Sequence, residues 1–161
     1  MTPLALSGLL TAITSFSLIV FVALVGQRNA LNLAMIVLNL CVGVWGIGTM
    51  LAGLARTPTE GVWAWRVAFL GGMFLAPSLY HLSLILRGVR KRRSLRVAYI
   101  LALGFVISYF GPGINQTQWL FNSLHYNKAT LVFLLSFLVW LIFVSLGHAH
   151  TFYAYRYTAP H

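Results

Sequence analysis

The strongest constraint on the fold is an abrupt change of composition within residues 62–96. From Val62 to Leu86 the chain is apolar apart from Arg66, Ser78, His81 and Ser83. A helix of this length rises roughly 37 Å, enough to cross a hydrocarbon core of about 30 Å with some tilt. The pattern predicts a transmembrane helix that ends in a basic loop, whose cations are Arg87, Arg90, Lys91, Arg92, Arg93 and Arg96.

Four further apolar runs predict an all-α integral membrane bundle of five transmembrane helices in a single domain, residues 1–161. With 60% hydrophobic and 7% charged residues, the composition excludes an ordinary water-soluble domain. The longest connection, residues 115–129, mixes aromatic and polar side chains, which predicts a short helix lying flat in the interface. The predicted spans are residues 4–26, 31–55, 62–86, 95–114 and 131–149.

The basic residues predict the orientation of these spans, because short loops rich in Lys and Arg stay on the cytoplasmic side. Arg28, the basic loop and Arg156 fall on one side of the bundle, and Arg56, Arg66 and Lys128 on the other. This predicts an outside amino terminus and a cytoplasmic carboxyl terminus. We expect the first span to be retained, since no basic segment precedes it.

The formal net charge of +10 predicts anionic lipid headgroups at the cytoplasmic face as partners of the basic loop. Nucleic acid is not expected, because the cations lie between two spans and no folded basic domain presents them.

Small residues at four-residue spacing predict places where helices approach closely. Gly48 and Ala52 form such a pair in the second span, and Ala68, Gly72 and Ala76 form a ridge in the third. These ridges serve either other membrane chains or packing within one bundle. Pro77 lacks an N–H and is expected to kink the third span, freeing a carbonyl near Met73.

An enzyme is not expected from these residues. General acid and base catalysis usually needs two titratable groups with separated pKa values, and the chain has a single carboxylate, Glu60, in a polar loop. The single Cys41 lies in an apolar run, which excludes an intramolecular disulfide and favours a buried hydrophobic role.

Histidines are the remaining candidates for a site. His81, His148 and His150 all fall near the same membrane boundary. A neutral imidazole is a good axial ligand, so His81 and His148 are candidate ligands for a haem or a chlorophyll-type pigment. The alternative is structural: His81 bonds to a neighbouring carbonyl near Pro77, and the other two lie in the interface.

One set of motifs resembles a known family. Its members are Asn39, Trp45, Gly46, Trp65, Arg66, Gly71, Gly72, Pro77 and His81. Over residues 5–155 this set resembles the amino-terminal seven-helix sensor region of bacterial histidine kinases. The resemblance implies a bacterial inner-membrane protein that detects a signal and passes it to a cytoplasmic kinase. Only five spans precede His161, so we expect no kinase activity and a separate output partner.

Two functions therefore remain open. The first is a sensor-like module that acts through protein–protein contacts in the bilayer. The second is a structural accessory subunit of a larger respiratory or photosynthetic complex, in which His81 contacts a pigment or haem.

The predicted topology can be tested with reporter fusions. We expect a phosphatase that is active only outside the cytoplasm to be active after Arg56 and inactive after Gly88 or Arg156. Activity at both Arg56 and Arg156 would place these sites in one compartment and contradict the five-span count.

Overall fold

The computed structural model describes residues 2–114, 116–120 and 124–158. Within this part of the chain, five helices are long and apolar enough to cross a membrane, which confirms the all-α membrane bundle. The helices are α1 (Pro3–Val25), α2 (Ala30–Leu54), α3 (Pro58–Leu86), α4 (Arg92–Ser108) and α5 (Leu131–Thr158).

Short polar caps set where the first three helices begin. The Thr2 hydroxyl accepts from the Ala5 N–H, and the Asn29 side chain accepts from the Asn32 N–H. Thr57 and Glu60 form a capping box. The Thr57 hydroxyl accepts from the Glu60 N–H, and the Glu60 carboxylate accepts from the Thr57 N–H. This box starts α3 four residues before the predicted apolar run, because the first turn of the helix is polar.

Helix α3 is the centre of the bundle. It packs against α2, α4 and α5, whereas the only described element that α1 packs against is α2. Half of its most apolar stretch is buried inside the protein, a larger share than in any other helix of the described chain. The helix continues through Pro77, which lies inside it. The predicted third span is therefore the element around which the others assemble.

The two predicted small-residue ridges meet each other within one chain. A Cβ on Gly48 would overlap the backbone of Ala68 and lie 2.6 Å from the Ala68 Cβ. Ala52 is buried in the same cluster as Ala64 and Ala68. These residues hold α2 and α3 at backbone contact, so this part of both ridges is used for packing within the bundle.

Helices α1 and α2 use a second row of small residues. A Cβ on Gly8 would lie 2.6 Å from the Gly46 carbonyl oxygen, and one on Gly53 would lie 2.9 Å from the Ala5 Cα. The Thr2 hydroxyl also donates to the Gly53 carbonyl over 2.7 Å. Helix α2 thus presents one glycine face to α1 and another to α3.

The connection between α4 and α5 corrects one prediction. No interfacial helix forms in the described part of residues 115–129, which instead hold an antiparallel hairpin of β1 (Thr117–Leu120) and β2 (Leu124–Asn127). Residues 115 and 121–123 lie outside the described residues. Threonine and aromatic side chains favour paired strands, whereas the mixture of aromatic and polar residues by itself suggested an interfacial helix.

Helices α4 and α5 also differ from their predicted bounds. Helix α4 begins at Arg92 and ends at Ser108, after which Tyr109–Gly113 form a wide turn that is kinked at Gly111, where φ is −106° and ψ is −126°. The predicted basic loop therefore contributes the start of a helix. Helix α5 continues nine residues beyond the predicted end at residue 149, through aromatic residues that we had expected to follow the helix.

The contact between α2 and α3 gives a stability prediction. Changing Gly48→Ala should lower the free energy of unfolding by about 1 to 3 kcal/mol, because the methyl group forces two backbones apart. The matched control is Gly104→Ala on α4, where a Cβ meets no atom within 4 Å. The control should unfold no more easily than the native protein in a denaturing-detergent titration. Equal losses for both variants would contradict the close contact.

Candidate functional site

The bundle has two polar ends, and the structure brings different candidate residues to each. The turn between α1 and α2, the turn between α3 and α4, and the last turns of α5 lie together at what we call the basic end. Arg87 contacts His150 across this end, and Ala30 and Ile85 line one groove beside it. The opposite end, which carries the β-hairpin, is called the hairpin end.

The six predicted lipid-binding cations all lie exposed at the basic end, at Arg87, Arg90, Lys91, Arg92, Arg93 and Arg96. Gly88 has a φ of +69°, which allows the sharp turn out of α3. Arg92, Arg93 and Arg96 lie in the first turns of α4, which have no acidic residue and no side-chain cap. The positive end of the helix dipole adds to these charges, so the surface is strongly cationic.

Arg87 joins the end of α3 to α5. Its Nη1 lies 2.7 Å from His150 Nδ1, and its guanidinium lies over the Tyr153 ring, 5.0 Å from the ring centroid. Because arginine is always protonated, Nδ1 of His150 is the acceptor and the imidazole is neutral. The Tyr80 ring packs on His150 from α3, and its hydroxyl is 2.9 Å from the Ser94 hydroxyl on α4. Three helices are therefore linked at one point, which we call the Arg87 junction.

His81 lies partly buried on α3, with its Nδ1 3.5 Å from the Tyr99 hydroxyl on α4. Its polar neighbour is thus a tyrosine hydroxyl, where we had expected a backbone carbonyl near Pro77. His81, Ile85 and Tyr99 line a groove that opens beside α2.

His148 lies elsewhere. It is exposed on α5 and lines a separate surface concavity with Phe152, Tyr153 and Arg156. The two predicted ligands therefore do not share a cavity. Among the described residues, no group of three or more His, Cys, Asp or Glu side chains is close enough to hold a metal ion.

His150 is the functional candidate that the sequence analysis ranked too low. It is 6% exposed, and it follows Ser136, Phe143 and Gly147 on the buried face of α5. The helical spacing of these positions could have separated His150 from His148, which is two residues away and on another face. The Arg87 contact itself carries no local sequence signal.

The hairpin end is held by donors that reach backbone carbonyls. The Trp65 indole N–H donates to the His125 carbonyl over 2.8 Å, and the Arg66 guanidinium donates to the Ile114 carbonyl over 3.0 Å. His125 and Asn127 are buried, and among the described residues Nε2 of His125 and both polar atoms of the Asn127 amide have no hydrogen-bond partner. Buried polar atoms of this kind are normally satisfied by water.

The remaining candidates of the small-residue ridge have packing roles. The Gly72 carbonyl accepts from the Trp140 indole N–H over 3.0 Å, linking α3 to α5. Ala76 packs in a cluster with Tyr80, Ala98 and Phe143, between α3, α4 and α5.

Comparison with models of protein families, with curated proteins and with solved structures finds no match to this chain.

The Arg87 junction gives a second stability prediction, local to α5. Changing Arg87→Gln should speed amide exchange in residues 148–156 by about fivefold, the factor for a loss of roughly 1 kcal/mol. The matched control is Arg90→Gln, an exposed cation on the same turn with no polar partner among the described residues. Hydrogen exchange of the protein in lipid nanodiscs measures both. Equal protection in the native protein and Arg87→Gln would mean that the contact does not hold α5.

Proposed function

We propose that this chain is a sensor-like module that acts through protein–protein contacts in the bilayer, similar to the membrane sensor region of histidine kinases. It passes the conformational state of its helices to a separate protein on the cytoplasmic side. It has no catalysis of its own.

The observation that carries this proposal is the Arg87 junction. Helix α5 runs unbroken from Leu131 to Thr158, and about two turns of it follow the contact between Arg87 and His150. A rigid helix that leaves the bundle through such a contact can transmit a small shift of α3 to its own end, because a packed helix moves as a unit. An accessory subunit held only by packing does not need this link.

The chemistry of the chain supports a role without catalysis. Its only carboxylate, Glu60, accepts from the backbone N–H groups of Arg56 and Thr57 and so serves as a helix cap. Other polar side chains of the interior hold helices to one another, as Trp140 of α5 does with the Gly72 carbonyl of α3.

Large apolar side chains on the outer helices support membrane partners as well as lipid. Leu10 and Ile13 on α1, and Leu138 and Ile142 on α5, are each about half exposed. In a bilayer these faces are covered by acyl chains or by helices of another protein.

The charge distribution supports the cytoplasmic side for the basic end. Arg28, the six cations of residues 87–96 and Arg156 belong to that end, and it follows that Arg56, Arg66 and Lys128 face outside. A bacterial inner membrane, whose cytoplasmic leaflet is anionic, would attract this surface.

Site-specific photo-crosslinking tests the proposed function. A photoreactive amino acid at Tyr155, which is 76% exposed on the last turns of α5, should form an adduct with a cytoplasmic kinase in native membranes. The same group at Leu24, 80% exposed at the end of α1, is the control and should not form that adduct. Changing Arg87→Gln should leave the adduct in place but alter phosphorylation of the kinase.

Other adducts distinguish the two functions. Respiratory or photosynthetic subunits cross-linked at Leu138 or Tyr155 would favour an accessory subunit. A monodisperse monomer without any adduct, purified in mild detergent, would contradict both.

A further inference from the structure

A groove on the side of the bundle lies between α2, α3 and α4, near the basic end. Its α2 wall is formed by Leu33, Ala34 and Val37, and its floor by His81 and Ile85 of α3. Tyr99 of α4 closes the far side. Over the described residues α2 and α4 do not contact each other, so the space between them opens sideways. His81 lies six residues before Arg87, about 9 Å below the membrane boundary, so the groove opens to lipid.

The floor of this groove carries a hydrogen-bonding group inside an apolar wall. Nδ1 of His81 faces the Tyr99 hydroxyl. Nε2 of His81 has no hydrogen-bond partner among the described residues. It is also not fully enclosed by protein, unlike the buried atoms that lack a partner. Because His81 lines the groove and its Nε2 is not fully buried, this nitrogen is the group that a ligand in the groove would meet. When the Tyr99 hydroxyl donates to Nδ1, Nε2 carries the proton and is a donor.

A second polar layer lies behind the floor. The Cys41 thiol of α2 is 3.6 Å from the Ser78 hydroxyl of α3, and both residues are buried. The imidazole of His81 itself lies among apolar side chains of the groove, those of Leu33, Val37 and Ile85. An unoccupied donor in such surroundings costs free energy, which a ligand acceptor would recover.

We propose that this groove binds the head ring of a membrane quinone. The ligand must be lipid-soluble, because the groove opens to the bilayer, and it must present an acceptor to Nε2 of His81. A quinone has a flat ring with two carbonyl acceptors and an isoprenoid tail that can leave between α2 and α4. The groove volume of about 370 Å³ lies within the usual range for small-ligand sites.

Two other occupants fit less well. A phospholipid acyl chain offers no acceptor to the imidazole. A haem with two histidine ligands would need a second histidine in the groove, and the lining residues include only His81.

This inference deepens the proposed function, on which its role as a signal rests, but binding itself can be measured independently. Helix α3 carries both the groove floor and Arg87, six residues apart along one helix. Binding of a quinone ring at His81 would therefore act on α3, the helix that holds α5 at the Arg87 junction.

The test uses the full chain in lipid nanodiscs and radiolabelled decyl-ubiquinone, a short-tailed quinone. Saturable binding is measured against empty nanodiscs with the same lipid. Changing His81→Phe should weaken binding about tenfold, since it keeps the ring but removes the donor, and Tyr99→Phe should weaken it a few-fold. Leu33→Trp should abolish binding by filling the groove, with Val37→Trp as a second filling variant.

The control is His148→Phe, which removes an exposed histidine at the same end and outside the groove. It should bind the quinone as tightly as the native chain. Elution as a monodisperse species with an unchanged melting temperature shows that each variant has folded.

Three results would overturn the proposal. They are no saturable binding by the native chain, equal binding by the native chain and His81→Phe, or a haem absorption band in native membranes that His81→Phe removes. Cross-linking to a kinase without quinone binding would contradict this inference and leave the proposed function in place. Quinone binding without any cross-linked partner would contradict the proposed function and leave this inference in place.

Discussion

Backbone contact between α2 and α3 is the interaction on which the rest of the structure depends. Lipid gives helices no hydrophobic reason to associate, so their affinity comes from packing and from interhelical hydrogen bonds. Gly48 lies against the Ala68 backbone, and Gly71 lies against Cys41 and Trp45 in the same way. These contacts bury α3 against α2, and α3 also packs against α4 and α5. Both the groove floor and the Arg87 junction are therefore properties of one well-packed helix.

A chain with eleven basic residues and one acid has almost no carboxylate with which to pair its cations. Arg66 uses the Ile114 carbonyl and the Trp63 ring, and Arg87 uses a neutral imidazole and the Tyr153 ring. Carbonyl oxygens, neutral imidazole nitrogens and aromatic faces can each hold a guanidinium without adding a negative charge to the membrane interface. The two arginines thereby fix opposite ends of α3 to the elements that follow it.

These arrangements place the proposed input on α3, the same helix that contacts the proposed output helix α5 through Arg87. The groove beside His81 opens to lipid, and the end of α5 leaves the bundle at the junction just beyond it. A ligand shifts an equilibrium only through different contacts in two states, and His81 and Tyr99 are the side chains whose contacts a ring in the groove would change. The neutral form of His150 holds Arg87 in the state described, so the same junction is where a change would be transmitted.

The sequence by itself determined the membrane class, the five spans and the ridges, because hydrophobic length and small-residue spacing are local properties. It also placed eight of the eleven basic residues at one end, because the position of each loop follows from the spans. Tertiary structure decided the rest. Whether Gly48 meets Ala68 or another chain, and whether Arg87 contacts lipid or His150, depends on which helices become neighbours. The hairpin at residues 117–127 was mistaken for a helix because strand pairing is a contact between segments. His81 and Tyr99 are 18 residues apart, and only the packing of α3 against α4 makes them one site.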